Sequence, residues 1–240
     1  MFNKESSDKA LATKNKILHD DEFGDIEIRR VRGMCMRIKI QPNGKMIAQL
    51  PRLIPLREVT KFLDQSRERL RQSLQSMPAR KTYKNGDTIG KSHHLIIQEG
   101  EQENTRLKKL DIVVNITSKT TPSAQDRLVK DGIAKALREE AKAYLPRRLA
   151  FLADKHNFSY NQLRFMHAKS RWGSCSSRGT ISLNIMLMTM PNELIDYVLL
   201  HELNHTKHMD HSKAFWSDLE KIYPDAKIHK KTLQKFSPYL

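Results

Sequence analysis

The stretch His201–Trp216, "HELNHTKHMDHSKAFW", holds four histidines and one glutamate in its first eleven residues. On a helix, His201 and His205 lie about 6 Å apart along the axis and about 40° apart around it. Two imidazoles so placed converge on one metal ion, while Glu202 stands beside them without ligating. This is the H-E-x-x-H arrangement, in which the glutamate acts as general base on a metal-bound water. Zinc suits it, because imidazole nitrogens in tetrahedral geometry leave one position open for water.

A catalytic zinc needs a third protein ligand, and His208 and His211 compete for the place. His208 continues the helix face but lies about 10.5 Å along the axis from His201, a long reach for one ion. Met209-Asp210-His211-Ser212 reads as a break between helices, with Asp210 or Ser212 able to cap the next one. The turn would carry His211 back toward the metal. His211 follows His201 by ten residues, the metzincin spacing, although that pattern has glycine where this chain has His208. The reading is therefore His201, His205 and His211 as ligands, with His208 solvated or outside them. Phe215, Trp216, Tyr197 and Leu219 fall at helical spacings and read as core.

Outward from the cluster, "NELIDYVLLHELNHTKH" is a helix begun by Pro191. Before it, "QLRFMHA" and "GTISLNIML" alternate as two strands joined by a tight, polar "KSRWGSCSSR". Arg171–Cys175 within that joint reads as a tight turn, or as the floor of a cleft. The strand Thr180–Leu187 could pair with an extended peptide, with Asn184 facing the site. "QDRLVKDGIAKALREEAKAYL" is a helix, extended or restarted after Pro146. Turn-rich "TSKTTPSAQD" (117–126) marks a boundary.

The front half alternates with period two in "DIEIRRVR", "MCMRIKIQ" and "KMIAQL". Met34, Met36, Ile38 and Ile40 share one face, and Pro42-Asn43-Gly44 forms a hairpin turn. "REVTKFLDQSRERLRQSLQSM" carries Val59, Phe62, Leu63, Leu70 and Leu74 at helical spacing. "HHLIIQ" and "LDIVVNI" are strands around the polar "EGEQEN", and adjacent His93 and His94 point to opposite faces. No internal repeat is visible. The expectation is an α+β chain: a mobile arm (1–20), a β-rich N-terminal domain (21–118) and a helix, β-hairpin, helix domain (119–240).

The 240 residues suffice for one large domain or two small ones. No run approaches the roughly 18 apolar residues of a membrane span, so no membrane partner is expected. "MFNKESSDKALATKNK" has no apolar block of a secretory signal, and Cys35 and Cys175 make no disulfide framework. The expected setting is reduced and cytoplasmic. The formal charge is +16, split as 23 Lys+Arg against 15 Asp+Glu over residues 1–118, and 20 against 12 over 119–240. Each half is thus +8, and non-specific nucleic acid is a possible partner.

"KSRWGSCSSRGTISLNIMLMTMP" followed by "IDYVLLHELNHTKHMDHSKAFW" resembles the YgjP-like metallopeptidase family. Its signature is an R-W-G-S-C segment followed by H-E-L-x-H-x5-H-S-x-x-F-W. The match is dense over Lys169–Trp216 and looser over the front half, where "RRVRGMCMRIKIQPNGKMIAQLPR" corresponds to the β-rich part. The resemblance implies a zincin-like catalytic core with His201, His205 and His211 on zinc and Glu202 as base. It also implies kinship with SprT-like and WLM proteases, some of which act on proteins attached to DNA.

The leading expectation is a zinc-dependent hydrolase of peptide or protein substrates. A nucleotide phosphoanhydride hydrolase with Arg171 beside the metal is an alternative. So is a nucleic-acid-binding protein with structural zinc, which the three-histidine set disfavours, since structural zinc usually has four protein ligands.

Overall fold

Ile26 and Ile28 alternate with polar neighbours on one face of their segment, and Met46, Ala48 and Leu50 share one face of theirs, with Ile47 buried on the other. In the computed structural model, which describes residues 16–41, 44–75 and 82–240, these segments are strands β2 (Gly24–Val31) and β4 (Met46–Pro51). They pair in parallel. Strand β1 (Lys16–Asp20) flanks β2 and β3 (Arg37–Ile40) flanks β4, both antiparallel. Helix α1 (Arg57–Gln75) closes the apolar face with Val59, Leu63 and Leu70. Lys16–Asp20 is therefore sheet and not arm, because Leu18 opposite Ile26 has a core to join. Residues 1–15 of the expected arm, Pro42-Asn43 of the turn, and the helix end past Gln75 lie outside the described residues. Ile38 and Ile40 pack inward as expected and Met36 packs beside them, whereas Met34 is 96% exposed, since β3 begins only at Arg37.

The second sheet repeats this plan. Strands β5 (Thr88–Ile89), β6 (His93–Glu99), β7 (Asn104–Lys108) and β8 (Asp111–Ile116) are ordered β5-β6-β8-β7, matching β1-β2-β4-β3. The central pair is again parallel and the outer pairs antiparallel. A helix again follows, α2 (Pro122–Lys155). The repeat is topological and not legible as sequence similarity. The segments "HHLIIQ" and "LDIVVNI" are neighbours but parallel, so "EGEQEN" is not the turn that joins them, because a parallel pair needs a longer connection. Strand β7 supplies the return pass, and its "NTRLK" is too polar to announce itself.

Thr121 caps α2, its hydroxyl accepting from the Ala124 amide at 3.3 Å, with Pro122 in the first turn. The helix runs unbroken through Pro146. The backbone donor that proline lacks would face the carbonyl of exposed Lys142, where solvent can satisfy it. Its apolar stripe packs so closely against the second sheet that a Cβ at Gly132 would lie 2.6 Å from Ile112 Cγ2 and Thr105 Cγ2.

Beyond α2 come β9 (Gln162–Met166), β10 (Gly173–Cys175) and β11 (Thr180–Asn184), ordered β10-β11-β9. Only β10 and β11 form a hairpin; β9 joins β11 in parallel. A 3₁₀ turn (Ile185–Thr189) leads to α3 (Asn192–Asn204), then α4 (Lys213–Ile222) and α5 (Ala226–Leu233). Two compact units result, Met1–Arg80 and Lys81–Leu240. The division precedes the 118/119 boundary read from the sequence, because Leu95, Ile112 and Val114 share one core with Leu137, Leu187 and Leu199. The architecture is α+β, with sheets concentrated in the N-terminal half and helices following.

Candidate metal centre

Helix α3 buries Leu194, Ile195, Val198, Leu199 and Leu203, which fixes its rotation and aims His201 and Glu202 inward. His205 closes the helix. The chain then turns through Asp210, which accepts from the Ser212 amide at 3.2 Å, and Ser212 caps α4. This turn returns His211 to the first two histidines. One ligand-capable atom from each of His201, His205 and His211 lies within 4.8 Å of the others. His201 Nε2 and His211 Nε2 are 3.0 Å apart.

Second contacts set the tautomer of one ring. His205 Nδ1 lies 2.9 Å from the His208 carbonyl, which can only accept, so Nδ1 carries the proton and Nε2 keeps its lone pair. His208 turns its own Nε2 to Asp218 at 2.7 Å and stays outside the cluster. Phe215, fully buried, forms the platform under all three rings, with centroids 4.9, 4.6 and 4.9 Å from those of His201, His205 and His211. Asn204 ties α4 to α3 by donating to the Phe215 carbonyl at 2.9 Å.

Burial favours the neutral, ligand form of His201 and His211. Desolvation, helped by the neighbouring His205 and His211, pushes His201 down to about 3. Burial and His205 also lower His211. The Glu202 carboxyl is buried beside them and pushed up to about 8 by desolvation, with Arg171 pulling the other way. Its Oε2 has no hydrogen-bond partner among the described residues. Three imidazoles with a common focus fit a divalent cation of zinc's preferences. A carboxylate at their side, and not among them, is free to handle a proton.

A family model for the YgjP-like metallopeptidase domain matches residues 34–236. The chain belongs to the YgjP-like metallopeptidase family. The match runs across both structural units. Among solved structures, the metallopeptidase zymogen abylysin of Pyrococcus abyssi is 28% identical, covering 38% of this chain and 93% of that one, with a TM-score of 0.35. The zymogen jannalysin of Methanocaldococcus jannaschii is 22% identical, covering 38% and 94%, with a TM-score of 0.33. No curated protein matches the chain.

In this YgjP-like metallopeptidase, Arg171–Cys175 is not a turn. Its last three residues are edge strand β10, lying against Glu202. A Cβ at Gly173 would stand 2.5 Å from Glu202 Oε1, so the absent side chain is the recess that holds the carboxylate. A lone glycine in a polar segment gave no sign of this. Cys175 stays outside the histidine cluster, and burial, with Glu202 nearby, raises its thiol. Asn184 does not face the site. Its amide donates to the carbonyls of Ala168, Arg171 and Pro238 and fixes the loop before β10. Strand β11 is enclosed by β9 and β10 and has no free edge for a peptide; β10 is one of the sheet's two outer strands. Trp216, read as core, is only half-buried and stacks on His211 with centroids 6.1 Å apart. Lys230 lies over the indole at 4.1 Å. No helix among the described residues is long and apolar enough to cross a membrane.

Proposed function

We propose that this protein is a zinc peptidase in which His201, His205 and His211 hold the metal and Glu202 serves as general base and then general acid. One observation carries the reading: three imidazoles converge while the adjacent Glu202 stays out of their focus, against Gly173. Zinc bound there supplies Lewis-acid polarisation of a scissile carbonyl and lowers the pKa of a coordinated water.

The chain's own residues do the rest. Phe215 and the His208 carbonyl hold the rings in place, so little reorganisation is needed on loading. Glu202 Oε2 offers an unused acceptor position for the proton of the attacking water, which it then passes to the leaving amine. The low-polarity pocket raises the basicity of that carboxylate toward the range useful near neutral pH. The outer edge of β10 offers backbone groups to an extended substrate.

The test is elemental analysis of the purified full chain, with cleavage of unfolded protein and peptide libraries before and after chelation and zinc return. Near-stoichiometric zinc and chelator-sensitive peptide cleavage are expected. Chelator-sensitive hydrolysis of nucleoside triphosphates with no peptide cleavage would overturn the substrate class.

A further inference from the structure

Between Glu27 and Glu58 the chain carries eight lysines and arginines and not one aspartate or glutamate. The fold gathers part of this run at one end of the first sheet. Parallel β2 and β4 finish together, with Val31 opposite Pro51, so the segments that follow them leave side by side. Arg30 binds the two together, donating to the Pro51 carbonyl at 2.8 Å and to that of Ile54. Arg32 and Arg52 follow in the two segments, and Arg37 opens β3 opposite Gln49, near the same end. All three are exposed, and none has a carboxylate partner among the described residues. In the same two segments stand the two most exposed large apolar residues of the described chain, Met34 two residues after Arg32 and Leu53 next to Arg52, each 96% exposed.

We propose that this end of the first unit docks on an anionic lipid surface, with Arg32, Arg37 and Arg52 on headgroup phosphates and Met34 and Leu53 inserted between headgroups. The partner follows from the pairing of features. Charge alone would fit any polyanion, including nucleic acid, but exposed apolar tips in the same segments as the arginines suit an interface with a phosphate plane above an acyl layer. A single-stranded nucleic acid would call for stacking rings, and neither tip is aromatic. This is attachment at a surface by two loop tips, compatible with the absence of a membrane-spanning helix among the described residues. It is independent of the peptidase reading.

The experiment is co-sedimentation of the full chain with phosphatidylcholine vesicles, with and without phosphatidylserine, over a range of salt. Retention is expected only on phosphatidylserine vesicles and weakens as salt rises. Arg32→Glu with Arg52→Glu should cut the partition coefficient roughly tenfold or more. Met34→Ser with Leu53→Ser should weaken it severalfold. Both variants change exposed positions, and an unaltered circular dichroism spectrum confirms folding. Absent retention on phosphatidylserine vesicles, equal retention on neutral ones, or indifference to either variant overturns the proposal. If vesicles never retain the chain while duplex DNA does so through Arg32 and Arg52, the surface serves nucleic acid instead.

Discussion

In the proposed mechanism, Glu202 is where metal binding and chemistry separate. Glu202→Gln should leave zinc near stoichiometric while peptide hydrolysis falls by roughly 10²-fold or more; unchanged turnover would remove Glu202 from the mechanism. The same change has a second readout in metal-free protein. The folded carboxyl, at about 8, keeps a proton that the unfolded chain releases near 4.5, so stability falls as pH rises through that window. Glu202→Gln should therefore raise the melting temperature of the metal-free chain, most at alkaline pH. His201 runs the other way. Its folded value of about 3 lies below the ordinary 6.5, so the unfolded chain protonates first and stability is lost as pH falls below about 6.5. Zinc should leave over the same acid range, because a ligand imidazole must be neutral. His201→Ala, His205→Ala and His211→Ala should each lose most bound zinc, whereas His208→Ala, whose ring pairs with Asp218, should keep it. Gly173→Ala tests the recess: its methyl would displace Glu202, so hydrolysis should drop by orders of magnitude with zinc retained.

At the scale of elements, the helix that carries His201 and Glu202 is held from outside the site. Arg148 on α2 grips Asp196 on α3 through two hydrogen bonds of 2.7 and 2.5 Å. The β5–β6 turn adds a third hold, with Lys91 Nζ donating to the Met190 carbonyl at 2.6 Å and to Asn192. That turn is fixed by Glu140 of α2, whose carboxylate receives the Lys91 and Ser92 amides, the Ser92 hydroxyl and His93 Nδ1. Removing one member of a buried charged set strands the others, so Glu140→Ala should cost about 3 kcal/mol or more in denaturant unfolding. A cost below about 1 kcal/mol would show the cluster to be incidental.

At the scale of the whole molecule, two cores imply two cooperative units. One is built from Ile26, Met46, Leu50 and Leu63, the other from residues of the second sheet and the helices beyond it. Scanning calorimetry should resolve two transitions. Leu63→Ala, losing about 2–5 kcal/mol, should move one, and Glu140→Ala the other. A single transition shifted by both variants would show that the units unfold together. The recurring strand order and following helix give both units one ground plan, yet only the second holds the histidine cluster.

What the sequence determined by itself was local. The spacing His201-x3-His205-x5-His211 brought the three imidazoles together because a helix and one short turn are set by nearby residues. The strands β2, β4, β6 and β8 and the helical stripes of α1 and α2 were legible for the same reason. Tertiary structure decided the pairings that join distant residues. Parallel partners β9 with β11 alternate as a hairpin's strands do, and the short apolar segments of β6 and β8 do not name their partners, so nothing in the pattern separates parallel from antiparallel pairing. The polar edge strands β7 and β10 lack the apolar alternation that announces a strand, and take their form from the neighbour whose hydrogen bonds they complete. Gly173 and Asn184 act through contacts with Glu202 and with the carbonyls of Ala168, Arg171 and Pro238. Such contacts exist only once the chain has closed on itself, which is why a glycine that shelters a carboxylate looked like one that merely turns a corner.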